Sequence, residues 1–175
     1  MSNKYDIPER LQKSLNGLGE MITYLNNKTD LKKLRLLEVG SWTGLSSNMF
    51  AGAFKSVLCI DPWTATAGIN TKYDMSKVHD LFLERNSKHT NLTWIKSKFE
   101  DVELENNYDI IYIDGLHTYE QVKKDIAKAL KLSNIKYITG HDYYNNFPGV
   151  KKAVNEMLGK PENVFSDTSW IIERV

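Results

Sequence analysis

The feature that most constrains this chain is a repeated alternation of short apolar runs with stretches of helical period. The runs are Leu34 to Val39, Ser56 to Ile60, Leu92 to Lys96, Tyr108 to Ile113 and Ile135 to Thr139. Such runs read as strands buried on both faces, which is what a parallel sheet covered by helices requires. Between them, apolar residues recur at helical spacing: Leu45, Met49 and Ala53; Met75, Val78, Leu81 and Phe82 over 75–89; Val122, Ile126, Ala129 and Leu130; then Val150, Val154 and Met157. Thr118 with Gln121 forms a capping box before the third of these, and Gly159 with Pro161 stops the fourth. An N-terminal helix is expected over 7–26, with Asp6 as its cap, Pro8 in its first turn and Glu9 completing the box. The tail, Val164-Phe165 and Trp170 to Ile172 around a Ser166–Ser169 turn, reads as a hairpin. The expected fold is therefore α/β, doubly wound and Rossmann-like. Its central sheet is mostly parallel with helices on both faces and an antiparallel C-terminal hairpin.

Composition narrows the function classes. At 175 residues the chain is expected to be one domain, a helical segment at 1–30 followed by a core at 34–175. Its 23 Lys and Arg against 22 Asp and Glu leave a net charge of +1. That balance argues against a nucleic-acid binder and against a polybasic membrane surface. Cys59 lies in an apolar run and reads as a buried, reduced thiol. The polar start MSNKYDIPERLQ and the lack of a long apolar run give no signal peptide and no membrane span. A cytoplasmic protein is the expectation.

In doubly wound sheets, ligands bind beyond the carboxyl ends of the strands. The first run ends in Glu38-Val-Gly40-Ser41-Trp42-Thr-Gly44-Leu-Ser46. Glycines there let backbone approach a ligand, and the Glu38 carboxylate suits an ammonium better than a pyrophosphate. The second run ends in Asp61-Pro62-Trp63, 21 residues past Gly40, where an acidic side chain can accept from ribose hydroxyls. Together these residues favour a ribose-bearing cofactor with a positive amino group. The fourth and fifth runs end in Asp114-Gly-Leu-His117 and His141-Asp142. Converging carboxylates suit a divalent cation, and imidazole suits general-base work. The connection 62–74 has no periodicity and reads as a lid carrying Trp63 and Tyr73. Tyr143-Tyr144-Asn-Asn-Phe147 is a candidate acceptor wall.

The segments LLEVGSWTGLSS, VLCIDPW, YDIIYIDGLHTYEQVKKDI and TGHDYYNNFPGVKKAV resemble class I S-adenosylmethionine-dependent methyltransferases. The likeness is strongest to the metal-assisted small-molecule O-methyltransferases of catechol and macrolide-sugar type. It runs from about residue 34 to the C-terminus. The resemblance implies that Gly40 to Gly44, with Ser41 and Trp42, wrap the methionine end of the cofactor, with Ser46 near its carboxylate. It also implies that Asp61 holds the ribose, that Pro62 and Trp63 flank the adenosine, and that Ser97 and Phe99 contact adenine. Asp114 and Asp142 fall on metal positions, with His141 where relatives carry an acid, and His117 on the base position. The implied cofactor is S-adenosyl-L-methionine, with a divalent metal, magnesium or manganese, as the candidate helper. The implied partner is a small-molecule or sugar hydroxyl acceptor, and a homo-oligomer is compatible with the N-terminal apolar stripe. Two rivals stand beside this reading: a nicotinamide-dependent oxidoreductase, disfavoured by the missing GxGxxG, and a cofactor-binding module without catalysis.

Overall fold

A computed structural model describes Tyr5, Ile7, residues 12–65 and residues 72–174. Asp6, Pro8, Glu9, Leu11 and residues 66–71 of the expected lid lie outside the described residues. The strands are β1 (Arg35–Val39), β2 (Ser56–Asp61), β3 (Leu92–Lys96), β4 (Ile110–Ile113), β5 (Tyr137–Gly140), β6 (Asn163–Val164) and β7 (Trp170–Glu173). The helices are α1 (Gln12–Lys28), α2 (Leu45–Ala53), α3 (Met75–Asn86), α4 (Tyr119–Leu130) and α5 (Pro148–Met157). The sheet order is β3-β2-β1-β4-β5-β7-β6. The first five strands pair in parallel, and β7 runs antiparallel to both β5 and β6.

The pleat sorts the side chains into two cores. Leu36, Val57, Cys59, Ile110 and Tyr112 face α1, α2 and α3. Leu37, Val39, Leu58, Ile60, Ile111 and Ile113 face α4 and α5. Apolar side chains on both faces explain why these strands read as continuous apolar runs. Local signals also hold. Thr118 caps α4 by accepting from Gln121 N at 3.3 Å, and Asp74 caps α3 by accepting from Ser76 N at 3.0 Å.

One expectation fails at β3, which is not buried. It is an edge strand, with Trp94 42% and Ile95 36% exposed. The connection from β3 to β4 contains only a short 3-10 turn, Phe99–Asp101, where a covering helix could have lain. Sequence within the strand carries no information about that missing cover.

Register then fixes the site. Val39 pairs with both Ile60 and Ile113, and Ile113 pairs with Gly140. Gly40, Asp61, Asp114 and His141 therefore emerge side by side at one end of the sheet. The chain leaves β1 towards β2 on one side and returns to β4 on the other, which opens a crevice between the two turns.

Candidate active site

A cleft of about 790 Å³ occupies that crevice. Its walls include Gly40, Ser41, Trp42, Ser46, Asp61, Pro62, Phe99, Asp114, His117, His141 and Asp142, all expected from the sequence.

On the β1–β2 side the turn is set by backbone. Gly40 has φ 85°, and a Cβ there would collide with the Asp114 carbonyl of the neighbouring turn. Only glycine lets the two strand-end turns approach this closely. Asp61 ties the turn down: its Oδ2 accepts from Ser41 N at 2.9 Å and Trp42 N at 3.0 Å, and its Oδ1 accepts from Trp63 N at 2.7 Å. Burial pushes the Asp61 carboxyl up, and these three N–H donors pull it back down.

Four expected site residues do not reach the cleft. Glu38 is wholly buried and turned into the sheet–helix layer. It accepts from Ser41 Oγ at 2.8 Å, from the Ser46 and Ser47 hydroxyls, and from Cys59 Sγ at 3.2 Å. Burial pushes the Glu38 carboxyl up, and these four donors pull it part of the way back. Glu38 is thus a fastener of the turn, not an ammonium site on the cleft wall. Gly44 is the left-handed cap of α2, packed against Asn86 and Phe82. Trp63 is 2% exposed, its ring lies against His79, Phe82 and Trp94, and its indole N–H donates to Trp42 O at 2.9 Å. It anchors the start of the 62–74 connection in the core and does not flank the cleft. Ser97 donates to the Lys98 carbonyl, and Lys98, Phe99 and Glu100 take its place on the wall.

The β4–β5 side is built differently. His117 Nε2 lies 3.2 Å from Asp114 Oδ1 and 3.1 Å from Asp142 Oδ2. These three ligand atoms all lie within 4.8 Å of one another. One ring nitrogen cannot donate in line to two carboxylates, so the cluster has the shape of a pocket for a cation or a polar hydrogen. The expected set is Asp114, His141 and Asp142; the geometry brings His117 to the two aspartates as well. His141 lines the cleft beside the trio, with Nδ1 3.1 Å from Asp142 Oδ1 and 3.8 Å from Asp114 Oδ1, and Nε2 3.6 Å from the buried Asp167. Asp142 takes φ 61°, an uncommon conformation for a non-glycine residue and one found at sites where geometry is imposed. Phe147 from the expected acceptor wall packs 4.8 Å from the His117 ring. Tyr143 instead donates to Asn155. Tyr73 meets Trp42 edge-on at 5.7 Å, which brings the end of the 62–74 connection over the β1 turn.

Sequence reasoning missed Gln121 and Asp125 of α4, which also line the cleft. The signal was present: Asp125 falls within the apolar stripe of Val122, Ile126 and Ala129, where a charged residue needs a reason.

Comparison with known proteins adds the following. Residues 37–143 match the model of a family described as a methyltransferase domain. No curated protein matches in sequence. A TDP-rhamnose 3'-O-methyltransferase of calicheamicin biosynthesis is similar with a TM-score of 0.62 and 13% identity, over 93% of this chain and 80% of that one. A tRNA methyltransferase from Aquifex aeolicus gives 0.58 and 14%, over 89% and 55%. An S-adenosylmethionine-dependent O-methyltransferase from Thermotoga maritima gives 0.53 and 13%, over 78% and 49%. Of two further methyltransferases the chain spans only 44% and 26%. At such identities the structural likeness speaks for the fold. The nicotinamide reading loses its footing, because the family matched over the strand-end turns is a methyltransferase one. No described helix is long and apolar enough to cross a membrane.

Proposed function

On the premise that this chain belongs to the methyltransferase-domain family, the class I S-adenosylmethionine-dependent enzymes, we propose that it is an O-methyltransferase acting on a hydroxyl of a small molecule or sugar. The observation that carries the reading is the Asp114–His117–Asp142 cluster at the rim of the cleft. A hydroxyl becomes a good nucleophile only as it loses its proton, and this cluster is the cleft's equipment for taking one.

The cleft suits the cofactor on its own geometry. The Gly40 turn brings backbone to the cleft wall beside the Asp114 turn, Asp61 lines the cleft, and Phe99 with Pro62 adds apolar surface. When bound, S-adenosylmethionine supplies an electrophilic methyl group on a sulfonium. The chain's own residues do the rest. Phe147 and the His117 ring hold the acceptor against the rim. The His117 ring takes the hydroxyl proton at Nδ1 as the oxygen–methyl bond forms and the carbon–sulfur bond breaks, leaving a methyl ether and S-adenosylhomocysteine. Asp114 and Asp142, both beside Nε2, hold the N–H there, orient the ring and stabilise the imidazolium. Positioning of this kind supplies up to about 7–11 kcal/mol, and a base adds roughly 10²–10⁴-fold.

The convergence of three ligand atoms also favours a metal-assisted form. Asp114, His117 and Asp142 would hold the ion, and two carboxylates with one imidazole suit manganese or another transition ion as well as magnesium. There it would supply positive charge that acidifies a hydroxyl.

The test is methyl transfer from labelled S-adenosylmethionine to a panel of sugar, polyol and catechol acceptors, with and without EDTA. Label should appear on a hydroxyl acceptor and fall by at least 100-fold in Asp114→Asn. Loss with EDTA, restored by manganese or magnesium, selects the metal-assisted form. Full activity in Asp114→Asn, or transfer to RNA alone, would overturn the proposal.

A further inference from the structure

One buried group on the cleft wall has no role in the mechanism above. Asp125 sits on α4, one turn beyond Gln121, and is only 2% exposed. Among the described residues the one hydrogen bond its carboxyl accepts is from Gln121 Nε2, 2.9 Å from Oδ1. Its Oδ2 lies near the strand end beside Asp114: a Cβ on Gly115 would be 4.0 Å from it. Both Gln121 and Asp125 line the cleft, on the wall that α4 shares with the turn at Phe99.

The lysines near Asp125 bond elsewhere and reach it only through their charge. Lys128 Nζ is bound by the carbonyls of Phe99, Glu100 and Val102, and Lys124 reaches Glu100 at 3.5 Å. Burial accordingly pushes the Asp125 carboxyl up to about 7, which is the behaviour of a carboxylate short of donors. Buried polar atoms in folded proteins are almost always paired, so an acceptor left facing a cavity marks where a ligand donor belongs.

The surroundings narrow the donor. The cleft that Asp125 lines also carries apolar surface suited to a flat ring, from Val39, Ile60, Phe99 and Leu116. The positive lysines of the same helix make a ligand cation a poor match there. A neutral N–H on the edge of a heteroaromatic ring fits both constraints.

We infer that Asp125, held by Gln121, is the specificity residue for the cofactor's base, its Oδ2 accepting from the exocyclic amino group of adenine. The inference rests on the S-adenosylmethionine reading above and adds to it the residue that distinguishes adenine from other purines. A site built to pair a ligand N–H discriminates strongly against an analogue that lacks it, because its own acceptor is then left unpaired.

The test compares calorimetric affinities for S-adenosylhomocysteine and S-inosylhomocysteine, in which a carbonyl replaces the amino group. The wild-type protein should prefer the adenine ligand by at least tenfold. Asp125→Ala should reduce that preference below threefold. Asp125→Asn, whose amide oxygen still accepts, should keep most of it and guards against a folding defect. Equal binding of the two ligands by the wild type, or an unchanged preference in Asp125→Ala, would overturn the inference while leaving the cofactor reading intact. Failure of the wild type to bind either ligand would overturn both.

Discussion

The two halves of the strand-end rim carry carboxylates in opposite states. On the β1–β2 half, Glu38 accepts from three hydroxyls and a thiol, and Asp61 from three backbone N–H groups. On the β4–β5 half, Asp114 and Asp142 crowd around imidazoles, and one ring nitrogen faces both. The first half uses its charges to fix the backbone. The second leaves them facing the cleft.

The contrast can be broken most severely at His117. His117→Ala should lower methyl transfer by about 10²–10⁴-fold with little change in melting temperature, since the side chain is 33% exposed and at the rim. A loss of folding without a loss of turnover per folded molecule would place the β4–β5 carboxylates in the structural class.

Asp125 gives the next largest effect, on stability. Its folded pKa of about 7 lies above the ordinary 3.8. Its contribution is therefore fully present below about pH 4 and lost as pH rises through 7, an upper bound of about 4 kcal/mol. Denaturant titrations of the ligand-free protein should show stability falling from pH 5 to pH 8, with a flatter profile in Asp125→Asn. A profile identical to wild type would show that the carboxyl is already well paired.

Glu38→Ala should cost about 3 kcal/mol, because three hydroxyls and a thiol lose their acceptor. It should weaken cofactor binding only through the turn it fastens. Asp61→Asn should act similarly but less. If Glu38→Ala left stability unchanged and abolished binding, the division between the halves would fail. Thr118→Ala, removing the cap of α4, marks the small end of the scale at about 1 kcal/mol by thermal melting.

Much of this was legible in the sequence for identifiable reasons. β1, β2, β4 and β5 announce themselves because both of their faces are covered, so no polar alternation survives. The exposure of β3 was not legible, because it depends on a helix that the β3–β4 connection lacks. Asp61, Asp114 and Asp142 were placed by the rule that parallel strands present their ends together. Glu38 was misplaced, although its alternation with Leu36 on the face towards α2, where Ser46 and Ser47 lie, carried the correction. The two histidines could not be told apart by sequence, since both flank an aspartate, and both line the cleft. Trp63 was likewise undecidable from a loop sequence, because its partners His79 and Trp94 come from distant segments.

The central claim is that the cleft is an S-adenosylmethionine site. Calorimetric titration of S-adenosylhomocysteine and of NADH into the wild-type protein tests it most directly. The account predicts saturable one-to-one binding of S-adenosylhomocysteine and no binding of NADH. Binding of NADH with no heat from S-adenosylhomocysteine would contradict it.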